Sequence, residues 1–152
     1  MIRRLLLALL LAVLGYALWW LFFRSPERQI ADAQAAFLAT VEDRDWEDVK
    51  AWFTADFVTY GGLNRDTVMP DLQQALGGFA TLDIEARETT VQAVKDQGIS
   101  RPLIRVTGLG TQIAIAVREK ANSLRTPWVF HWRKTGGWPW EWQLTQVHHD
   151  EL

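Results

Sequence analysis

The chain has 152 residues, with 16 basic and 18 acidic side chains and a formal net charge of −2. That balance, with no basic block, argues against a nucleic-acid surface, and the length leaves room for one small core beside a membrane span. Cysteine is absent, which excludes disulfides, thiolate zinc sites and cysteine nucleophiles together.

Residues 5–23, LLLALLLAVLGYALWWLFF, carry no charge. At 1.5 Å per residue they reach about 28 Å, enough to cross the hydrocarbon layer. A cleaved signal peptide would have a shorter apolar region of about 7–15 residues and a small-residue cleavage site. Here the run ends in Trp19-Trp20-Leu21-Phe22-Phe23, so residues 1–25 read as an uncleaved anchor in contact with the lipid bilayer. Arg3 and Arg4 flank one side, and Trp19 and Trp20 would form an aromatic belt at the other. The positive-inside rule then leaves the N-terminus in the cytoplasm of a bacterium and exports residues 26–152 to the periplasmic face of the inner membrane, although Arg24 and Arg28 oppose that bias. Ser25-Pro26 follows at once as a helix start, with Ser as N-cap and Pro at the first position. With almost no linker, the domain works within a few nanometres of the membrane.

Ile30, Ala33, Phe37, Leu38 and Val41 share one helical face, with Asp32, Gln34, Thr40 and Glu42 on the other sides. Asp45 caps a short second helix in which Trp46, Val49 and Phe53 recur, with Trp52 beside them. Phe57 to Tyr60 is a short strand stopped by Gly61-Gly62. Val68, Leu72 and Leu76 mark a third helix, capped by Asn64 or Asp66 and stopped at Gly77-Gly78. Pro70 must lie in its first turn or kink it. Leu82, Ile84 and Ala86 then alternate with charged residues as a strand, which continues through Thr89-Thr90-Val91. A turn at Lys95 to Gly98 leads to a strand from Ile99 to Thr107, where Pro102 implies an edge or a strand start. After Gly108-Leu109-Gly110, residues 111–117 read as a further strand with Ile113, Ile115 and Val117 on one face, and 119–125 as a loop.

Trp128 to Val147, WVFHWRKTGGWPWEWQLTQV, holds five of the nine tryptophans. It reads as a hairpin turning at Gly136-Gly137, with Trp128, Phe130 and Trp132 on one face of the first strand and Trp140, Trp142 and Leu144 on one face of the second. His148-His149-Asp150-Glu151 reads as a solvated tail, since adjacent strand residues point to opposite faces and rarely share one ion in regular structure.

Helices followed by a run of strands indicate α+β, with the helices packed on one face of a curved antiparallel sheet. The element order, together with Ala35-Ala36-Phe37-Leu38 to Trp46, the stretch Trp52 to Gly61 and Trp132-Arg133-Lys134-Thr135-Gly136-Gly137-Trp138, resembles the nuclear transport factor 2-like superfamily, a cystatin-like cone that includes ketosteroid isomerases. The likeness covers residues 27–147. It implies a pocket between the concave face and the first helix in some members, and dimers formed through the sheet in many. An isomerase of this kind would need a carboxylate base inside the cone. The inward positions here are tryptophan, phenylalanine and leucine, and His131, Arg133, Glu141 and Gln143 point the other way.

No serine-histidine-aspartate set, nucleophile elbow or helical zinc motif is present, and Gly108-Leu109-Gly110 lacks the spacing and following helix of a phosphate loop. Catalytic, metal and cofactor roles are therefore assigned to no residue. Tyr60 is the polar group best placed to reach a cone mouth. Trp52, Trp128, Trp132, Trp138, Trp140 and Trp142 line the core or form a ligand or partner surface, and Trp138, beside Pro139, is expected at least partly in solvent. The expectation is a single-span binding or scaffold protein, an accessory or assembly subunit of an inner-membrane complex. By analogy of architecture, type IV secretion machinery holds periplasmic domains of this fold on single-span anchors. The alternative is a cone that holds a lipophilic small molecule or acts as an isomerase.

Overall fold

This computed structural model describes residues 2–152, apart from the side chains of residues 2–5 and 20–22. Arg3, Arg4 and Trp20 therefore lie outside the described side chains. The element order is α1 (Ile2–Phe22), α2 (Pro26–Asp43), α3 (Trp46–Ala51), β1 (Phe53–Thr59), α4 (Arg65–Leu76), β2 (Phe79–Val94), β3 (Gln97–Gly110), α5 (Gln112–Ser123), β4 (Val129–Lys134) and β5 (Trp142–His148).

Side chains 6–19 of α1 are exposed, and among the described residues no helix is long and apolar enough to cross a membrane. The span expected at 5–23 includes side chains that are not described. Ser25 caps α2 as its sequence predicts, accepting from the Arg28 N–H, with Pro26 in the first turn. The α2 stripe is buried at Ile30, Ala33, Phe37, Leu38 and Val41. Gln34, placed on a solvent side by its spacing, is instead buried, and its Nε2 donates to Thr89 Oγ1 at 3.4 Å. Phe53 leaves the second helix and opens β1, because α3 ends at Ala51.

The five strands form one sheet in the order β1-β5-β4-β3-β2. Four pairs would be antiparallel in a simple meander, but β1 runs parallel to β5, so the sheet is mixed rather than purely antiparallel. This pairing closes the sheet over α2: Phe53 sits opposite Leu144, and Leu144 N–H donates to the Trp52 carbonyl at 2.8 Å. Long β2 and β3 make the other wing, paired from Phe79↔Gly110 to Val94↔Gln97.

Pro102 lies in the middle of β3 rather than at a strand start. The β2–β3 register skips between Arg87 and Thr90, and Glu88 has φ 48°, so a bulge stands opposite the proline. No ladder N–H is required of Pro102 there. In α4, Asn64 is the cap and accepts from Asp66 and Thr67 N–H, while Pro70 sits inside the helix, past its first turn.

Residues 111–123 correct the sequence reading most clearly. The sequence pattern reads as a strand and a loop, but Gln112–Ser123 is helix α5, capped by Thr111. Ile113 is 57% exposed, whereas Ala114 is fully buried and Val117 and Ala121 pack on the core, a spacing of three and four residues. A short alternation of isoleucine and alanine fits a strand or a helix, and the threonine cap with helix-favouring alanines decided it. Asn122 then holds α5 to β3, accepting from Val106 N–H and donating to Val106 carbonyl, both at 2.8 Å.

Candidate functional site

The concave side of the sheet is an aromatic interior. Trp132, Trp142 and Leu144 project from the β4–β5 pair against Phe37, Phe53 and Phe130, and each of these six is at most 6% exposed. Phe37 lies edge-on to Phe53, Phe130 and Trp132 at centroid distances of 5.9–6.4 Å, the tilted geometry aromatic quadrupoles favour. The two buried indoles each have a partner: Trp132 Nε1 donates to Ser100 Oγ at 2.9 Å and Trp142 Nε1 to Gln29 Oε1 at 3.0 Å. Trp52 is half-buried at the edge of this cluster and donates to Thr40 Oγ1 at 3.2 Å. Trp128 caps the other end, 5.1 Å from the His149 ring. Its buried Nε1 has no hydrogen-bond partner among the described residues.

The buried polar residues are Gln29, Gln34, Thr54, Ser100 and His149, so no carboxylate is buried among the described residues. Asp56, in β1, faces outward and takes a bidentate pair from Arg133, at 3.0 and 2.5 Å. The hydrogen bonds from Arg133, seconded by Thr54, lower its pKa to about 2. A carboxylate held that acidic is a weak proton acceptor near neutral pH. Two clefts border the aromatic interior, with Trp132 contributing to the wall of one and Trp128 to the wall of the other. One of about 360 Å³ lies between β2, β3 and β4 and is lined by Gln92, Val94, Ile99, His131 and Arg133 among others. Another of about 330 Å³ opens beside Trp128 and Arg125.

Tyr60 does not reach the cone. It is 80% exposed just beyond β1, on the outer face of the sheet, with its ring 5.9 Å from His148. His148 in turn stacks on His131 at 5.6 Å. Burial, then the neighbouring His148 and Arg101, lower the His131 pKa. The outer face thus presents a column of Tyr60, His148 and His131 beside the Arg133–Asp56 pair. As their alternation requires, His131, Arg133 and Gln143 point away from the core, with Gln143 Nε2 donating to the Ala51 carbonyl at 2.7 Å.

The sequence pattern places the C-terminal histidines in solvent, but His149 is buried. Opposite His131 and Trp132 of β4, β5 bulges with Thr145 as its extra residue, so that Trp132 faces Leu144 and His131 faces Gln146. The alternation changes phase there, turning Val147 and His149 inward. His149 Nδ1 accepts from Glu151 N–H at 3.0 Å, which leaves Nε2 to donate to the Thr126 carbonyl at 2.8 Å. Glu151 closes the clamp by accepting from the Arg125 and Thr126 N–H groups and the Thr126 hydroxyl, bonds that lower its pKa, the hydroxyl first.

The hairpin turn is longer than a Gly-Gly turn. Strands end at Lys134 and resume at Trp142, and the loop is closed by Thr135 N–H to the Glu141 carbonyl and Trp138 N–H to Glu141 Oε2, both at 2.8 Å. Glu141 is thereby turned into the loop instead of the outer strand face. Trp140, expected on the core face with Trp142, is 57% exposed and stacks on Trp138, 49% exposed, with centroids 5.1 Å apart and planes at 14°.

No protein-family model matches the chain, and no curated protein matches it. Solved structures do. An NTF2-like protein of unknown function from Pseudomonas putida is 17% identical, with TM-score 0.59 over 80% of this chain and 83% of its own. A cystatin-like protein of unknown function from Nostoc punctiforme is 18% identical, with TM-score 0.57 over 79% and 86%. The S. rosetta CaMKII hub is 13% identical, with TM-score 0.61 over 82% and 95%. Likeness at this identity concerns the backbone, and on it the chain has the nuclear transport factor 2-like, cystatin-like α+β fold.

Proposed function

We propose that this chain is a membrane-anchored binding protein, an accessory or assembly subunit of an inner-membrane complex, whose domain acts by contact rather than by catalysis. The observation that carries this reading is the contrast between its two apolar regions. The cone interior is packed with rings whose polar atoms are largely satisfied within the fold, whereas the apolar side chains of α1 from Leu6 to Trp19 are uncovered. An uncovered apolar helix running straight into a capped domain helix is stable where lipid, not water, surrounds it. The positive-inside bias of Arg3 and Arg4 favours a cytoplasmic N-terminus and a periplasmic domain.

The outer sheet face is the proposed contact surface, for a complex subunit or for a second copy. It combines apolar Val94 and Ile99 with the ring column and the Arg133–Asp56 pair, a mixture typical of interface cores and rims. The fold likeness to a hub domain is in keeping with self-association. The lipophilic-ligand and isomerase alternative would need a cavity where Trp132, Trp142 and Leu144 stand.

Purification of the full chain in mild detergent, with identification of co-purifying proteins and of oligomeric state, tests this function. Recovery of a protein that is alone and monomeric would count against it. A compartment reporter fused after Leu152 tests the orientation: activity on the cytoplasmic side would reverse the proposed topology.

A further inference from the structure

The exposed stacked pair Trp138–Trp140 lies at the end of the domain where α1 delivers the chain. Trp142, which closes the loop, donates through its indole to Gln29 Oε1 at 3.0 Å, and Gln29 Nε2 donates to the Arg24 carbonyl at 2.9 Å. Arg24 is the second residue after α1. Trp140 is two residues from Trp142, so its Cα lies within about 7 Å of that fixed point. The other loop at this end is the β2–β3 turn, tied in by Lys134 N–H to the Asp96 carbonyl at 2.8 Å, and next to it Val94 is 75% exposed.

Tryptophan is the residue of the lipid headgroup layer, because its ring prefers the apolar side and its N–H the wet side. The two indoles present nearly parallel broad faces on a loop held by the bond from Trp138 N–H to the Glu141 carboxylate. Acidic Glu27, Asp32, Asp96 and Glu141 offset Arg24, Arg28, Lys95 and Lys134 at this end, with Arg24 paired to Asp32, so insertion of rings rather than attraction of charge is the mode that fits it. The opposite end of the domain, where Arg44 donates to the Phe79 carbonyl and Phe79 pairs with Gly110, is one α2 length away, about 27 Å. It stays clear of a headgroup layer only several ångströms deep.

We infer that the Trp138-Pro139-Trp140 loop is a second membrane contact, a foot that rests in the headgroup layer beside the anchor and fixes the tilt of the domain. This rests on the proposed anchor and goes beyond it: with two contacts the domain cannot swivel, and the outer sheet face is held at a set angle to the membrane.

The cysteine-free chain permits a direct test. Single variants Gly137→Cys, Leu10→Cys and Leu109→Cys of the full-length protein are spin-labelled and reconstituted in vesicles of phosphatidylethanolamine and phosphatidylglycerol. A Cβ at Gly137 meets nothing within 4 Å, and Leu10 and Leu109 are exposed. Collision with oxygen, which partitions into lipid, is compared with collision with a water-soluble nickel chelate. The expected result is severalfold greater oxygen than nickel accessibility at 10, an intermediate ratio at 137 and nickel preference at 109. Adding Trp138→Ala and Trp140→Ala is expected to shift the label at 137 to the water-like ratio of 109 and leave 10 unchanged. A lipid-like ratio at 10 with a water-like ratio at 137 in the unsubstituted loop would overturn the foot and leave the anchor standing. A water-like ratio at 10 would overturn the anchor, and the foot with it.

Discussion

The indole N–H of Trp142 donates to Gln29 Oε1 at 3.0 Å, joining the last strand to the first turn of α2 across 113 residues of sequence. Both groups are buried, so each depends on the other for its hydrogen bond. The pair also fixes the relation between the aromatic interior and the point where the chain leaves α1.

Gln29→Leu is expected to destabilise the fold by about 1–3 kcal/mol, the cost of stranding a buried donor. Trp142→Phe removes that donor but also loses ring volume and leaves the Gln29 amide short of its acceptor role. In the double variant the two losses should sum to less than their separate values, a coupling read by denaturant melts in a double-mutant cycle. Strict additivity would mean that the bond contributes nothing.

Asp56 has a folded pKa of about 2 against 3.8 for the unpaired group, owing first to the Arg133 hydrogen bonds. A depressed carboxylate stabilises the fold above the unfolded value and loses that contribution as pH falls through the window from roughly 4 to 2. The pair is exposed, so the stability change should be small. Arg133→Ala should return the Asp56 titration toward 3.8, measured on its carboxyl carbon by NMR.

His131 has a folded pKa below 6.5, owing first to burial and then to His148 and Arg101. The folded state therefore disfavours the imidazolium, and stability present above 6.5 should decline as pH falls below it. His148→Asn should move the His131 titration upward, toward 6.5, by removing the stacked ring and its charge. An NMR titration of the imidazole carbons gives the direction.

Gly108 has φ 140°, and an added Cβ would run into the Thr81 carbonyl oxygen. Gly108→Ala is expected to cost about 1–3 kcal/mol through backbone strain and overpacking. Gly137→Ala, where nothing lies within 4 Å, should change the thermal midpoint little and serves as the comparison.

Period alone sufficed where one face of an element is buried throughout. The α2 stripe from Ile30 to Val41, the caps at Ser25 and Asp45, and the inward Phe130, Trp132, Trp142 and Leu144 are local patterns that the fold keeps, whereas the α4 cap, open between Asn64 and Asp66 in the sequence, is Asn64. Periodicity failed where a strand and a helix predict the same short pattern, as at residues 112–123, or where a bulge shifts the phase, as at Thr145. His149 is buried through the β4–β5 register, a cause outside its own segment, and Trp140 is exposed because the neighbouring Glu141 folds back to accept from the Trp138 N–H, which lengthens the turn.

Residue order alone carried the α+β class, the caps at Ser25 and Asp45, the inward Phe130, Trp132, Trp142 and Leu144 and the uncharged stretch from Leu5 to Phe23, because composition and spacing act over a few residues at a time. Tertiary structure alone decided that β1 pairs in parallel with β5, that the cone is filled by rings bonded to Ser100 and Gln29, that Tyr60 lies outside it, and that Trp138 and Trp140 stack beside the exit of α1. Apart from the Trp138–Trp140 stack itself, these rest on contacts between residues distant in sequence. The energy that selects them, shared burial and mutual satisfaction of hydrogen bonds, exists only when the partners have met.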